Sequence, residues 1–180
     1  MHAVYKAVEE EAPLTNYNKW SERRPKQMSL ADLQPIMDKE IRERNNAQSA
    51  GNGQSEQWGI RALDLTNEFR NKEGNLPALS WNQALHDIAM THCQNMAFGK
   101  CPVGHDGFSD RHSKVLFYVR SFSENVAYNY GQVDAVWTAV NGWINSPGHR
   151  KNMLATNSIC GIAVYCYYGK FYFTQLFALY

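Results

Sequence analysis

The sequence predicts an α+β domain, and three observations carry that expectation. Apolar residues recur every three to four positions in three separate stretches between Ile60 and Ile144, the period of an amphipathic helix. Two stretches rich in β-branched and aromatic residues, Ser158 to Tyr168 and Lys170 to Tyr180, close the chain. One short strand, Phe122 to Ala127, lies between. Helices first and strands last indicate α+β rather than an alternating βαβ order.

In chain order, residues 1–57 read as an extended partner-binding arm and linker, and residues 58–180 as the domain. Pro13, Pro25 and Pro35 break the arm into short polar pieces. Ser29 to Leu33 reads as a capped helical turn, and Pro35 to Arg42 as a short helix with proline in its first turn. Asn45 to Gln54 is a Gly/Asn/Ser/Gln linker. Nothing here can build a core of its own. Isolated apolar anchors such as Tyr5, Tyr17, Trp20, Leu33 and Ile36 fit a segment that wraps a protein partner and is ordered on binding.

Within the domain, Ala62, Leu65, Thr66 and Phe69 share one face of a first helix, which Gly74-Asn75-Leu76-Pro77 ends. Ser80-Trp81-Asn82-Gln83 has the form of a capping box. The helix it opens sets Leu85, Ile88, Ala89, His92 and Met96 on one face. A third helix, Gln132 to Ile144, carries Val133, Val136, Trp137, Val140 and Ile144. Ser146 is then the turn residue before Pro147, which suits the first position of a helical turn. The two terminal strands meet at Tyr168-Gly169 as an antiparallel hairpin.

Composition narrows the function classes. Lys and Arg number 18 against 17 Asp and Glu, with no basic stripe, so nucleic acid is disfavoured as a partner. No stretch approaches the roughly 18 apolar residues of a membrane span. The acidic, h-region-free N-terminus is not a signal peptide, which predicts an intracellular protein. The four cysteines then read as reduced thiols. Cys160 and Cys166 fall on the same side of one strand, too far apart to bridge.

Five ordered blocks carry a family resemblance from about Ile60 to Tyr180. They are Leu76-Pro77-Ala78-Leu79-Ser80-Trp81 with its following helix; Gly104-His105-Asp106-Gly107; Ser123-Glu124-Asn125-Val126-Ala127; Trp143 through Leu154, containing Ser146-Pro147-Gly148-His149-Arg150; and Gly161-Ile162-Ala163 with Phe173-Thr174-Gln175-Leu176-Phe177. Together they resemble the CAP superfamily (the SCP domain of cysteine-rich secretory, antigen 5 and pathogenesis-related 1 proteins), in its divergent bacterial-like branch. The resemblance implies a three-layer α-β-α sandwich around a central antiparallel sheet. It also implies a cleft where two His and two Glu bind zinc or another divalent cation. His105, Glu124 and His149 match three of those positions as candidate metal ligands. The fourth has no acid: Trp143 is followed by Ile144, Asn145 and Ser146.

Two imidazoles and a carboxylate suit a zinc ion with an open position. The alternative is that Glu124 and His149 are hydrogen-bonded structural groups joining helix to sheet. No nucleophile elbow is present and no catalytic residue is assigned. His86, His92 and His112 carry no role, and His92 reads as a hydrogen-bonded core histidine. The Tyr/Phe-rich hairpin reads as sheet core; a lipid or sterol groove there is what the resemblance adds. The leading expectation is a non-enzymatic CAP-like domain, a structural or docking subunit of a larger intracellular assembly such as a cytoskeletal or ciliary lattice, held through its arm. The alternative is a secreted-type, extracellular CAP protein that binds a divalent metal, lipid or sterol in the His/Glu cleft, with hydrolysis as its extreme form.

Overall fold

A computed structural model describes the backbone of residues 30–180 and side chains from residue 53 onward. The elements are α1 (Leu30–Gly74), β1 (Ser80–Trp81), α2 (Gln83–Ala97), α3 (Phe108–Ser113), β2 (Ser121–Tyr130), α4 (Ala135–Asn145), α5 (Pro147–Leu154), β3 (Ile159–Tyr167) and β4 (Lys170–Leu179). The strands form one sheet in the order β1-β3-β4-β2. Both β2 and β3 run antiparallel to β4, whereas β1 lies parallel to β3 over two residues. The sheet is therefore mixed, its parallel part confined to the short entry into α2.

Strand alternation makes three layers. Cys160, Ile162, Val164, Phe173 and Phe177 face a core built with α1, α4 and Met153 of α5. Their neighbours Ala163, Tyr172, Leu176 and Ala178 face the opposite core, built on α2. Each strand residue points away from the next, so one hairpin serves both layers. Tyr168 and Gly169 both take positive φ, 47° and 72°, the conformation of a two-residue hairpin turn whose twist matches its strands. The α+β class, the layered sandwich and the hairpin are as the sequence predicted.

The structure redraws four local boundaries. Residues 30–57, expected as a turn, a short helix and a linker, are helical backbone within α1. No proline stands between Pro35 and Pro77, so no donor is lost there, and extending an existing helix costs far less than starting one. The expected arm anchors Tyr5, Tyr17 and Trp20 lie outside the described residues. The cap of α2 is Asn82, whose side chain accepts from Leu85 N at 3.0 Å. Ser80 is drawn instead into β1, where its N–H donates to Ser158 O. Helix α4 starts at its cap Asp134, leaving Val133 fully exposed, and β2 is longer than predicted at both ends. All four cysteines are free, with Cys93 and Cys160 buried.

Candidate functional site

Successive residues of an edge strand assemble the site. Glu124 and Asn125 lie in β2, which pairs with β4 on one side only. Because strand side chains alternate, Glu124 enters the α2–α3 side and Asn125 the α4–α5 side. Both are buried, at 5% and 0% exposure.

The Glu124 carboxylate is held by a fork. Arg111 of α3 donates Nε to Oε2 at 2.5 Å and Nη2 to Oε1 at 2.7 Å. His105 Nδ1 donates to the same Oε1 at 2.9 Å, and its Nε2 makes no hydrogen bond among the described residues. The three partners differ in exposure: the side chain of His105 is 54% exposed, that of Arg111 7% and that of Glu124 only 1%. A bidentate guanidinium–carboxylate pair is among the stronger polar contacts a protein makes, and its planar geometry fixes both groups.

Arg111 is itself pinned from behind. Its Nη1 donates to Asp106 O at 2.7 Å and to His92 Nδ1 at 3.1 Å, and its Nη2 to His105 O at 3.2 Å. The second ring nitrogen of His92 donates to Gly104 O at 2.8 Å, so His92 is neutral, with its proton on Nε2. Burial pushes the His92 pKa down, with the Arg111 charge acting in the same direction against the Gly104 hydrogen bond. Gly107, at φ 77°, starts α3; a Cβ there would come within 3.4 Å of Arg111 Nη1. A cavity of about 240 Å³ lies behind the network, lined in part by His92, Cys101, Arg111 and Lys114.

His149 comes from the first turn of α5, which Ser146 precedes and Pro147 opens. Its ring centroid lies 6.4 Å from that of His105. Burial, then the neighbouring His105, lowers its pKa, so the neutral ring is favoured. Among the described residues it makes no hydrogen bond to Glu124; its carbonyl accepts from Asn125 Nδ2 at 3.3 Å. Asn125 is the joint on this side. It also donates to Gln175 Oε1 at 3.1 Å and accepts from Asn152 Nδ2 at 3.0 Å, while Gln175 donates on to Thr66 of α1 at 3.1 Å. The helix-to-sheet joint foreseen for Glu124 and His149 thus falls to Asn125.

The structure brings His105 onto Glu124 and His149 beside His105. Among the described residues no three His, Cys, Asp or Glu side chains are grouped around one point. The Arg111 guanidinium donates to both oxygens of the Glu124 carboxylate, so this acid is half of a buried ion pair. Arg111 and Asn125 were not singled out from sequence. The only signal for Arg111 was an arginine six residues past the motif histidine, indistinguishable from a surface charge. His86 and His92 are core histidines, and His112 stacks on Phe122 with ring centroids 4.8 Å apart. The hairpin aromatics Phe173 and Tyr172 are sheet core. A cleft of about 350 Å³ between α1 and α4 is lined by Leu65, Phe69, Trp137, Val140 and Ile144 together with the polar Glu68, Lys72, Glu73 and Asn141.

Comparison with known proteins bears on the fold and the family. The chain is 35% identical over 120 residues to the uncharacterized membrane protein YlbC of Bacillus subtilis, a match covering 64% of this chain and 32% of that protein. The chain thus spans about a third of that relative. An extracellular protein containing a SCP domain from Bacillus anthracis superposes with a TM-score of 0.58 at 30% identity, over 70% of this chain and 41% of that one. A cysteine-rich secretory protein from Staphylococcus aureus gives 0.56 at 24% identity, over 71% and 40%. The model of the CAP family, the cysteine-rich secretory protein family, matches residues 63–177, which hold the three layers, His105, Glu124 and His149; the chain belongs to that family.

Proposed function

We propose that this chain is a non-enzymatic CAP domain, a docking subunit that joins a larger assembly through residues 1–57. The observation that carries this reading is the state of Glu124. Its carboxylate is neutralised by a buried guanidinium and cannot serve as a general base, nor does a second acid follow Trp143. The cleft therefore offers two imidazoles on a rigid polar scaffold rather than acid/base machinery. The matched region is 32% of the B. subtilis relative, so in that protein the domain is part of a longer chain. The extracellular description of the B. anthracis protein favours a cell-surface or extracellular setting over the intracellular one suggested by the N-terminus. No helix among the described residues is long and apolar enough to cross a membrane. A cytoskeletal or ciliary lattice draws no support from these relatives.

The test is a truncation of residues 1–52, which spares Ser55, whose hydroxyl accepts from Val164 N at 3.1 Å. Full and truncated chains are cross-linked in their native setting and the complexes compared by mass, with circular dichroism confirming that the truncation folds. Loss of the complex is expected, and an unchanged complex sinks the docking reading. A second reading is a His/Glu cleft that takes zinc, another divalent cation, lipid or sterol; the 6.4 Å approach of the His105 and His149 rings favours its metal half. Calorimetric zinc titrations that are identical for the wild type and His149→Ala would remove its metal half.

A further inference from the structure

The sheet runs on beyond the helix that covers it. Strand pairing lays out two rows near the β3–β4 turn: Tyr165–Tyr172–Tyr128 and, closer to the turn, Tyr167–Lys170–Tyr130. Each of these residues lies an even number of positions from Ala163, Leu176 or Val126 of the α2-side core, so both rows point to that face. Helix α2 ends at Ala97, and Phe98 just past it sets its ring 5.8 Å from Tyr165 and 5.2 Å from Tyr167. We propose that this uncovered end of the sheet is a binding platform for an acidic polysaccharide, whose pyranose rings stack on the tyrosines while a sugar carboxylate meets Lys170. The platform does not depend on the docking role of residues 1–57.

Four observations support it. First, the rings are open: Tyr128 is 43% exposed, Phe98 48%, Tyr130 64% and the turn residue Tyr168 83%. A single exposed ring needs no explanation, but a contiguous set marks a binding surface. Second, the rings hold one another in place. Tyr165 stacks on Tyr167 at 6.5 Å, Tyr167 meets Tyr168 at 4.5 Å and Tyr128 meets Tyr172 at 5.2 Å. Rigid tyrosines give contact area with little loss of conformational freedom on binding. Third, the surface is apolar in its faces and polar at its tips. The hydroxyl of Tyr172, whose ring is buried, still reaches the surface. A pyranose has the matching character, a C–H face to lie on a ring and hydroxyls around its rim, whereas an acyl chain would leave the phenols without partners. Fourth, the charge has one sign. Lys170 is exposed and makes no ion pair among the described residues. No Asp or Glu lies between Asp87 and Asp106, between Glu124 and Asp134, or after Asp134. Glu124 is paired with Arg111 and Asp134 with Arg61. That field selects a carboxylate-bearing sugar, while Lys170 with Lys100 is too little charge for a phosphate backbone.

The experiment titrates the full chain with oligosaccharides of hyaluronan, polygalacturonate and alginate, all acidic, and with neutral chitohexaose. The wild type should bind at least one acidic glycan with a Kd of about 1 mM or tighter, and chitohexaose more weakly. Tyr130→Ala and Tyr167→Ala should each weaken that binding about fivefold or more. Lys170→Gln should remove the preference for the acidic glycan. Tyr118→Ala, which removes a ring that is 79% exposed but outside the two rows, should change nothing. Binding to none of the acidic glycans overturns the proposal, as does binding that Tyr118→Ala weakens as much as Tyr130→Ala. A chain that binds phosphatidylglycerol vesicles and none of the glycans also overturns it, giving this face to a membrane instead. Should the alanine variants not fold, the ring protons of the wild type decide. Shifts on adding the glycan are expected at Tyr128, Tyr130 and Tyr167, and rings that stay unshifted at saturation overturn the platform.

Discussion

Arg70 is a charge buried at 1% exposure that meets no carboxylate among the described residues. Its guanidinium donates instead to backbone carbonyls: Pro77 O from Nε and Nη2 at 3.2 and 3.0 Å, Met153 O at 2.6 Å and Ala155 O at 2.9 Å. Met153 and Ala155 lie at the C-terminal end of α5, where free carbonyls and the negative end of the helix dipole favour a cation. Arg70 thus fastens α1 to α5, the helix that carries His149. Burial lowers its pKa, yet an arginine stays charged throughout the working range. Arg70→Met is expected to cost about 2–3 kcal/mol in urea unfolding, because the buried carbonyl of Met153 and the part-buried carbonyls of Pro77 and Ala155 lose their donor. A loss below about 1 kcal/mol would mean that water replaces the guanidinium. In sequence Arg70 is merely the residue after the core position Phe69. Its burial follows from the chain folding α5 back over it, which no local pattern encodes.

At the scale of elements, the informative contact is between α1 and the outer edge of β3. Strand β1 covers only Ile159 and Cys160, so the rest of that edge needs other partners. Ser55 accepts from Val164 N at 3.1 Å, and the His86 ring lies 2.9 Å from Ile162 O. Gly59 is where the helix passes closest. An added Cβ would sit 2.1 Å from Ile162 O and 2.9 Å from the Trp81 ring. Gly59→Ala should therefore push α1 off the sheet even though alanine is the better helix former. The expected cost is about 1–3 kcal/mol, the range for overpacked sites, read as a lowered thermal midpoint. A midpoint raised by the substitution would show that the helix yields without loss. The apolar face of this helix, Ala62, Thr66 and Phe69, was legible from its period, as was the hairpin turn. The glycine at the contact was not, since an isolated glycine in a helical stretch signals only weakness until its neighbour is known.

On the scale of the whole molecule, two histidines couple stability to pH. His92 sits under α3 and His149 opens α5, and burial is the largest cause of the lowered pKa in each. For His92 the further influences are the Gly104 hydrogen bond, Arg111, Glu124 and His105; for His149 the further influence is His105. Unfolding releases both rings to titrate near their ordinary value of about 6.5. The unfolded chain then binds more protons than the folded one in the window below that value. Stability is fully present above it and declines as pH falls toward the depressed folded values. Protonation of His92 also sets a new donor at Nδ1 against the Arg111 N–H it now accepts. The midpoint should be level between pH of about 8 and 7 and lower at about 5.5, with part of the drop removed by His149→Ala. An equal midpoint across that range would show that neither ring is held neutral by the fold.

The sequence by itself determined the class, the order of the elements, the faces of the helices and the motif residues His105, Glu124 and His149, because periodicity, turn residues and short motifs are local properties. Tertiary structure alone decided what those motif residues touch. Glu124 and Asn125 are neighbours in the chain yet serve opposite layers, one meeting Arg111 from α3 and the other holding the His149 carbonyl from α5. A carboxylate becomes a metal ligand or half of a buried ion pair according to which charge the fold places beside it. That charge came from a six-residue helix with no hydrophobic period of its own, positioned by contacts made across the sheet edge.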